Sequence, residues 1–329
     1  MALKVIHLGF GGWGKSWHRD VIKRYRGVKV VGIVDMAPSV LAEMQKEFGY
    51  PSRVCFTQLE EAIDSVRADA VINTSSVGTH VPVGKIAINA GLNYLTEKPF
   101  APSEKDGREL VELAKRKGRI LMVAQNYRFH PAVRTVRRIL ASGKLGAVCS
   151  VGIDFRRYGN SRDPETAHYH IEEPLLLDMA VHHFDMMRAV LGKEPVDIAC
   201  RGNNPAWSRF DQSPTAAALV RFENDILVSY RGSWIAHQDQ TNWTGNWTME
   251  CEKGAVEWTS RGQFPDRVSV HTNGGKARDV RLAKMKYTDR AGVLAHFAAA
   301  VRNGTTPETS GCDNIGTLRL VHAAIKSAR

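Results

Sequence analysis

Four groups of residues in this chain have the types and the spacing for chemistry. The first is Gly9-x-Gly11-x-x-Gly14, with Gly12 between. It follows a short apolar run and opens a helical stretch. In that context the first glycine permits a tight turn, the second lets backbone N–H groups approach a pyrophosphate, and the third lets the helix pack close to its strand. The helix N-terminus adds partial positive charge. The second is Asp35, 21 residues past Gly14 at the end of the next β-rich run. An acid there accepts hydrogen bonds from ribose hydroxyls and repels a 2′-phosphate, which favours NAD over NADP. The third is Thr96-Glu97-Lys98-Pro99-Phe100, at the end of a predicted strand, where open α/β sheets bind their ligands. The fourth is Asp178-x-x-x-His182, whose spacing places a carboxylate and an imidazole on one helix face. An imidazole poised near neutral pH suits proton transfer. A satisfied structural pair explains the same spacing equally well.

These residues need a scaffold, and the hydrophobic pattern supplies one. Apolar β-rich runs at 4–8, 28–34, 70–73, 94–96 and 120–124 alternate with helical stretches at 38–48, 83–90 and 103–117. That alternation predicts a parallel sheet with crossover helices. After about residue 125 the pattern changes. Helices are predicted at 131–141 and 175–191, then strands at 217–222, 226–234, 243–251, 255–259 and 268–271, then helices at 288–302 and 314–327. Consecutive strands with short turns predict a mainly antiparallel sheet. The fold class is therefore α/β, with a dinucleotide-binding domain over 1–124 and a second α/β domain over 125–329.

Composition narrows the function. Hydrophobic residues make up 43% of the 329 and charged residues 24%, which excludes disorder and a disulfide scaffold as whole-chain answers. No apolar run reaches membrane-spanning length. The net charge of +11 invites a nucleic-acid reading, but it splits into +5 before residue 125 and +6 after it, with no long basic block. An evenly basic surface is the better reading. The five cysteines form no CxxC pair, so neither a disulfide framework nor a zinc site is expected. The first residues read as a strand rather than a secretion signal, which makes the cytoplasm the expected compartment.

In this order, Gly9 to Gly14, the stretch Asp69-Ala70-Val71-Ile72-Asn73-Thr74 followed by His80, Glu97-Lys98-Pro99 and Asp178-x-x-x-His182 resemble the Gfo/Idh/MocA oxidoreductase family across almost the whole chain. The resemblance implies a Rossmann domain followed by an α/β domain whose open sheet makes oligomer contacts, as a dimer or tetramer. It implies hydride transfer between a nicotinamide cofactor and a carbinol carbon of a sugar, cyclitol or related polyol. Lys98 would contact the substrate hydroxyl and the nicotinamide side, with a cis bond before Pro99 aiming it. His182 would take the hydroxyl proton, and Asp178 would orient it or the substrate. The cofactor would lie against Gly9, Phe10, Gly11, Gly12, Trp13, Gly14, Asp35, Thr74, Ser75, His80, Glu97 and Lys98. Substrate contacts are expected from Lys98, Tyr127, Arg128, Arg156, His170, Asp178 and His182. The family also contains nucleotide-sensing proteins without catalysis; Lys98, Asp178 and His182 together argue against that class.

One departure is visible. Many relatives are glycine-rich just before the Asp–His helix, whereas this chain has Glu172-Glu173-Pro174. Proline at a helix start beside acids is good capping, and this reading is preferred to a more acidic substrate pocket. His168 and His170 lack a third ligand of defined spacing, so no metal is expected. Arg156 and Arg157 are strand neighbours, so at most one faces a substrate. The tryptophans Trp207, Trp234, Trp243, Trp247 and Trp258 are read as sheet core or subunit contact before sugar stacking.

Overall fold

A computed structural model describes residues 1–161, 163, 165–272 and 275–329. The chain divides into two compact units, Met1–Asn126 with Tyr287–Leu318, and Tyr127–Lys286 with Arg319–Arg329. The sequence expectation that everything from residue 125 onward forms the second domain is corrected here. Residues 287–318 belong with the first unit, because Ile315 and Leu318 pack into its core beside Leu110 and Leu121.

The first unit contains β1 (Leu3–Leu8), α1 (Gly12–Trp17), β2 (Val28–Val34), α2 (Pro38–Phe48), β3 (Cys55–Phe56), α3 (Leu59–Ser65), β4 (Ala70–Asn73), α4 (Val77–Asn89), β5 (Asn93–Thr96), α5 (Glu104–Lys117) and β6 (Leu121–Val123). Its six strands pair in the order β3-β2-β1-β4-β5-β6, all parallel. Strands covered on both faces must be apolar throughout, and β4 and β6 are buried at every residue. The order reverses direction between β1 and β4, which opens a ligand crevice at their C-terminal ends. α5 shows why its residues form a helix. The Ser103 hydroxyl accepts the Asp106 N–H at 3.1 Å, Lys115-Arg116-Lys117 fill the last turn, and Gly118 closes it in the left-handed region. The basic triplet is thus explained by the helix dipole.

The second unit opens with α6 (Pro131–Ala141), β7 (Val148–Arg156), α7 (Ala180–Leu191), β8 (Pro195–Asn203), β9 (Thr215–Phe222), β10 (Leu227–Ser233), β11 (Asn246–Cys251), β12 (Gly254–Thr259), β13 (Arg267–Thr272) and β14 (Arg278–Asp279). Two helices close the chain, α8 (Asp289–Asn303) in the first unit and α9 (Gly311–Ala328), whose residues from Arg319 on belong to the second. The eight-stranded sheet runs β14-β13-β12-β11-β7-β10-β9-β8, antiparallel except for β7 with β10. Burial alternates residue by residue along β9, β10 and β11, so one face is covered and the other open. The covered face packs with Val136, Phe184, Met187, Val321 and Ala324. Trp247 and Trp258 stack there at 4.6 Å between centroids, which places them in the sheet core as expected.

The predicted helix over 175–191 is two structures. Pro174–Met179 is a π-helical turn and α7 begins only at Ala180. Asp178 and His182 therefore flank a junction and do not share a single α-helical face. Pro174 does occupy the helix start, with Glu173 before it at φ +43.

Arg128, expected at the substrate, forms a buried ion pair. Its Nε and Nη2 each donate to an Asp185 carboxylate oxygen at 2.6 Å, and the two side chains are 4% and 1% exposed. Removing one member of a buried pair strands the other charge. Asp185→Ala should lower the unfolding free energy by about 3–5 kcal/mol, read as a shift of the urea midpoint.

Candidate active site

The glycine turn is shaped by close contacts on one side and open space on the other. Gly9 has φ +88, and a Cβ there would lie 2.6 Å from the Ser75 nitrogen. A Cβ at Gly14 would come within 1.9 Å of the Gly9 carbonyl oxygen. At Gly11 and Gly12 a Cβ would meet nothing within 4 Å. Backbone amides with open space before them suit an anionic group of a dinucleotide. Asp35 braces the turn, since its Oδ2 accepts the Phe10 N–H at 2.8 Å and its Oδ1 the Ala37 N–H at 3.0 Å. Each oxygen keeps a second lone pair, so the same carboxylate can hold the turn and still accept a ribose hydroxyl. Phe10 has no side chain or N–H to offer a cofactor. Its side chain is fully buried with Ile33, Leu41 and Met44, and its N–H is spent on Asp35.

Beneath the turn runs a chain of buried hydrogen bonds. Tyr50 OH meets His18 Nε2 at 3.0 Å, His18 Nδ1 meets His7 Nδ1 at 2.9 Å, and His7 Nε2 meets Thr74 Oγ1 at 2.9 Å. Thr74 Oγ1 lies 2.7 Å from the Gly9 carbonyl. A carbonyl only accepts, so the Thr74 hydroxyl donates to it and must accept from His7. That assigns every proton: Tyr50 to His18, His18 to His7, His7 to Thr74, Thr74 to Gly9. Burial pushes His7 well below the usual imidazole range and His18 down to about 4, with the charge of Lys23 adding to the shift of His18. Burial also raises the Tyr50 phenol to about 12. Thr74, expected to line the cofactor, instead supports the turn from within.

At the end of β5, Glu97 is 5% exposed. Its Oε1 accepts the indole N–H of Trp13 at 2.8 Å and of Trp17 at 2.6 Å, and its Oε2 accepts the Lys98 N–H at 3.1 Å. The peptide between Lys98 and Pro99 is cis. The Arg290 guanidinium lies 4.5 Å from the Trp13 ring centre and donates to Ser16 Oγ at 3.1 Å. Asp289 stands at φ +52 and accepts from the Asn126 side-chain amide. The start of α8, α1 and the ends of β5 and β6 are thereby tied around Lys98. His80 uses its ring on the backbone, with Nδ1 donating to the Pro99 carbonyl at 2.7 Å and Nε2 3.1 Å from the Ser75 carbonyl. Burial lowers its pKa, against the two carbonyls and Glu97, which raise it. In the protein, the His80 ring braces the backbone at Pro99 and Ser75. Ser75 is similarly braced, its hydroxyl 2.5 Å from Asn73 Oδ1.

In the second unit the His182 ring, 6% exposed, lies flat on Tyr127 at 4.1 Å and 3°. Arg261 covers Tyr127 at 4.5 Å and donates to its hydroxyl at 3.1 Å. The imidazole plane is therefore set by a stacked pair, which suits a group that must accept a proton in one direction. Arg156 is paired with Asp154 at 3.0 Å and bonds Gln238. Arg157 lies over Trp243 at 4.2 Å, and burial lowers its pKa. His170 is bonded to Asp211 at 2.8 Å as an exposed pair, and such pairs hold weakly. His168 packs edge-on to Trp234. His183 is buried between Tyr230 and the Trp243 carbonyl, and burial lowers it to about 4.

Trp17, Asn126, Arg261, Asp289 and Arg290 were missed by sequence reasoning. Thr288-Asp289 reads as an ordinary helix start, and nothing local marks the left-handed aspartate. The glycine turn followed by two tryptophans four apart was the one available signal, since adjacent turns put both indoles on one side.

Comparisons with known proteins give the family of both parts of the chain. Residues 3–125 match the oxidoreductase family with an NAD-binding Rossmann fold, and residues 133–257 match the GFO/IDH/MocA C-terminal domain. The chain is 26% identical to inositol 2-dehydrogenase of Rhizobium meliloti over 99% of this chain and 97% of that one. It is 25% identical to D-apiose dehydrogenase of Paraburkholderia graminis over 98% and 86%. The fold resembles the crystal structure of aldose-aldose oxidoreductase from Caulobacter crescentus complexed with glycerol, at a TM-score of 0.88 and 20% identity over 100% and 98% of the two chains. Among the described residues no helix is long and apolar enough to cross a membrane.

The buried imidazoles make stability depend on pH in a fixed direction. In the unfolded chain they protonate near 6.5, whereas His18 and His183 resist protonation down to about 4 when folded. The unfolded state then binds more protons, so their contribution is complete above 6.5 and is lost as pH falls toward 4. Urea midpoints measured from pH 7.5 to 4 should fall progressively below 6.5.

Proposed function

We propose, for a chain that belongs to the GFO/IDH/MocA family of oxidoreductases, that it is an NAD-dependent dehydrogenase of a sugar, cyclitol or related polyol. The observation that carries the reading is the setting of Lys98. It follows a carboxylate whose two oxygens accept two indoles and the Lys98 N–H itself, at the C-terminal end of β5. A lysine held this way bonds a substrate hydroxyl with an oriented ammonium. His182, clamped by Tyr127, takes the hydroxyl proton on a ring nitrogen, and Asp178 orients it or the substrate. A bound nicotinamide cofactor would supply the hydride acceptor. Inositol 2-dehydrogenase and D-apiose dehydrogenase among the relatives support a polyol or sugar as the substrate class.

NAD is preferred because Asp35 stands where a ribose is read, with Met36-Ala37-Pro38 and no cation following. A homo-oligomer would use the open face of the second unit's sheet, where Ala217, Leu219, Leu227 and Ser229 are exposed.

The direct test is NADH formation from NAD with a panel of aldoses, cyclitols, uronates and anhydrosugars. One compound class is expected to react. Lys98→Ala should remove most of that turnover while NADH binding stays within a few-fold. Full turnover in the variant would reject the assignment. Asp35→Ala should erode the preference for NAD over NADP, measured as the ratio of their kcat/KM values. An unchanged ratio would show that Asp35 does not read the ribose.

A further inference from the structure

Arg261, in the turn between β12 and β13, stands in the left-handed region at φ +57. Arginine seldom takes that conformation, and residues held there by their surroundings gather at working sites. A glycine would take it freely, yet the glycine of this turn comes one residue later and is used otherwise. A Cβ at Gly262 would lie 2.1 Å from Asn242 Oδ1. The backbone at Arg261 is firmly held. Its N–H donates to Asp266 Oδ1 at 2.9 Å, and its carbonyl accepts the Trp243 N–H at 2.8 Å. The Ser260 hydroxyl donates to the other Asp266 oxygen at 2.6 Å. The fold thus keeps an arginine, at a conformational cost, where a glycine would close the same turn. Its side chain is the part that accounts for the choice.

That side chain reaches Tyr127. The guanidinium lies 4.5 Å from the phenol centre, and Nη1 donates to the Tyr127 hydroxyl at 3.1 Å. On the same phenol the His182 imidazole lies parallel at 4.1 Å. The bond at the hydroxyl stops the phenol from turning, and the stacked imidazole takes its plane from it. Charge follows the same path. Protonating His182 would place a second cation on a phenol that already carries one. The two stacking distances put those charges at most about 9 Å apart, with a buried ring between them. Arg261 therefore opposes the imidazolium. Asp178, on the π-helical turn, favours it. Arg128 and Asp185 form a closed pair, and so do Arg188 and Glu194. Arg157, over Trp243, is a further cation, close enough to Arg261 and Tyr127 for both to act on it. His183 is bonded to Tyr230, and α6, packed on α7, brings Arg134, Arg137 and Arg138.

We infer that Arg261 is a positioning residue for His182: through Tyr127 it holds the imidazole plane, and its charge keeps the ring neutral and ready to accept a proton. This rests on the reading of His182 as the group that takes the hydroxyl proton. It adds a pH range to that reading. A base opposed by a nearby cation stays uncharged to lower pH, so oxidation holds further into the acid side than it would without Arg261. It also gives the turn between β12 and β13 a part in the chemistry that needs no contact with a substrate.

The test uses the full chain with Arg261→Met, which keeps a stem over the phenol and loses the charge, and Arg261→Lys, which keeps the charge. The titration of His182 is followed by its imidazole carbon–proton NMR signal, identified by its absence in His182→Gln. Arg261→Met should raise the midpoint by about one pH unit, and Arg261→Lys should leave it within about a few tenths. Arg261→Gln, a second neutral variant with donors of its own, should show the same rise as Arg261→Met. With a polyol that reacts, the acid limb of kcat/KM should move by the same amount in the neutral variants and stay in place in Arg261→Lys. An unmoved midpoint in the neutral variants would overturn the inference. An equal rise in Arg261→Lys would also overturn it, by tracing the shift to lost packing and not to lost charge. A moved titration together with full turnover in His182→Gln would overturn the reading of His182 as proton acceptor, and this inference with it.

Discussion

Water is excluded from the Glu97 carboxylate, and a buried carboxylate must find donors inside the protein. Glu97 finds three: two indoles from α1 and the N–H of Lys98. That single requirement draws the helix after the glycine turn onto the end of β5. It places the tryptophans where Arg290 can lie over them. It also fixes the backbone from which the lysine projects. The glycine turn and Lys98 are consequently one structure, not two motifs that happen to be near.

Much of the first unit was legible because its rules are local or periodic. Strands buried on both faces read as apolar runs, and helices between them read from their own pattern. The glycines were legible because two of them answer steric demands, at Gly9 and Gly14, that no other residue meets. The second sheet was legible through its alternation, although the parallel pairing of β7 with β10 was not. Parallel neighbours distant in sequence leave no short-range trace. The return of 287–318 to the first unit was illegible for a related reason: a helix announces its apolar face, not the core that receives it.

The site was less legible than the fold, because residue letters do not show what each side chain bonds. Arg128, His80, Thr74 and Phe10 were taken as ligand contacts, and each also has partners in the protein: Arg128 pairs with Asp185, His80 and Thr74 bond backbone carbonyls, and Phe10 packs in the core. A polar residue beside a crevice has the same letter whether it faces a ligand or holds the wall. Only its partners distinguish the two, and partners such as Asp185 lie 57 positions away. Glu97 and Lys98 illustrate the division within one motif. The acid builds the frame, and the lysine is the member to which the proposed function gives the chemistry.

The π-helical turn before α7 has a consequence for helical phase. Each residue of an α-helix advances about 100° around the axis. A π turn accommodates one residue more than an α turn, so the side chains before it are set back by about that angle. Asp178 lies before the junction and His182 after it. Their relative bearing is thus a property of the backbone defect rather than of the four-residue spacing. A related chain with the same aspartate and histidine letters but an uninterrupted helix would aim its carboxylate in another direction. Counting residues between the two would not reveal the change, and shifts in polyol preference along such lineages could be written in helix geometry with every reactive residue retained.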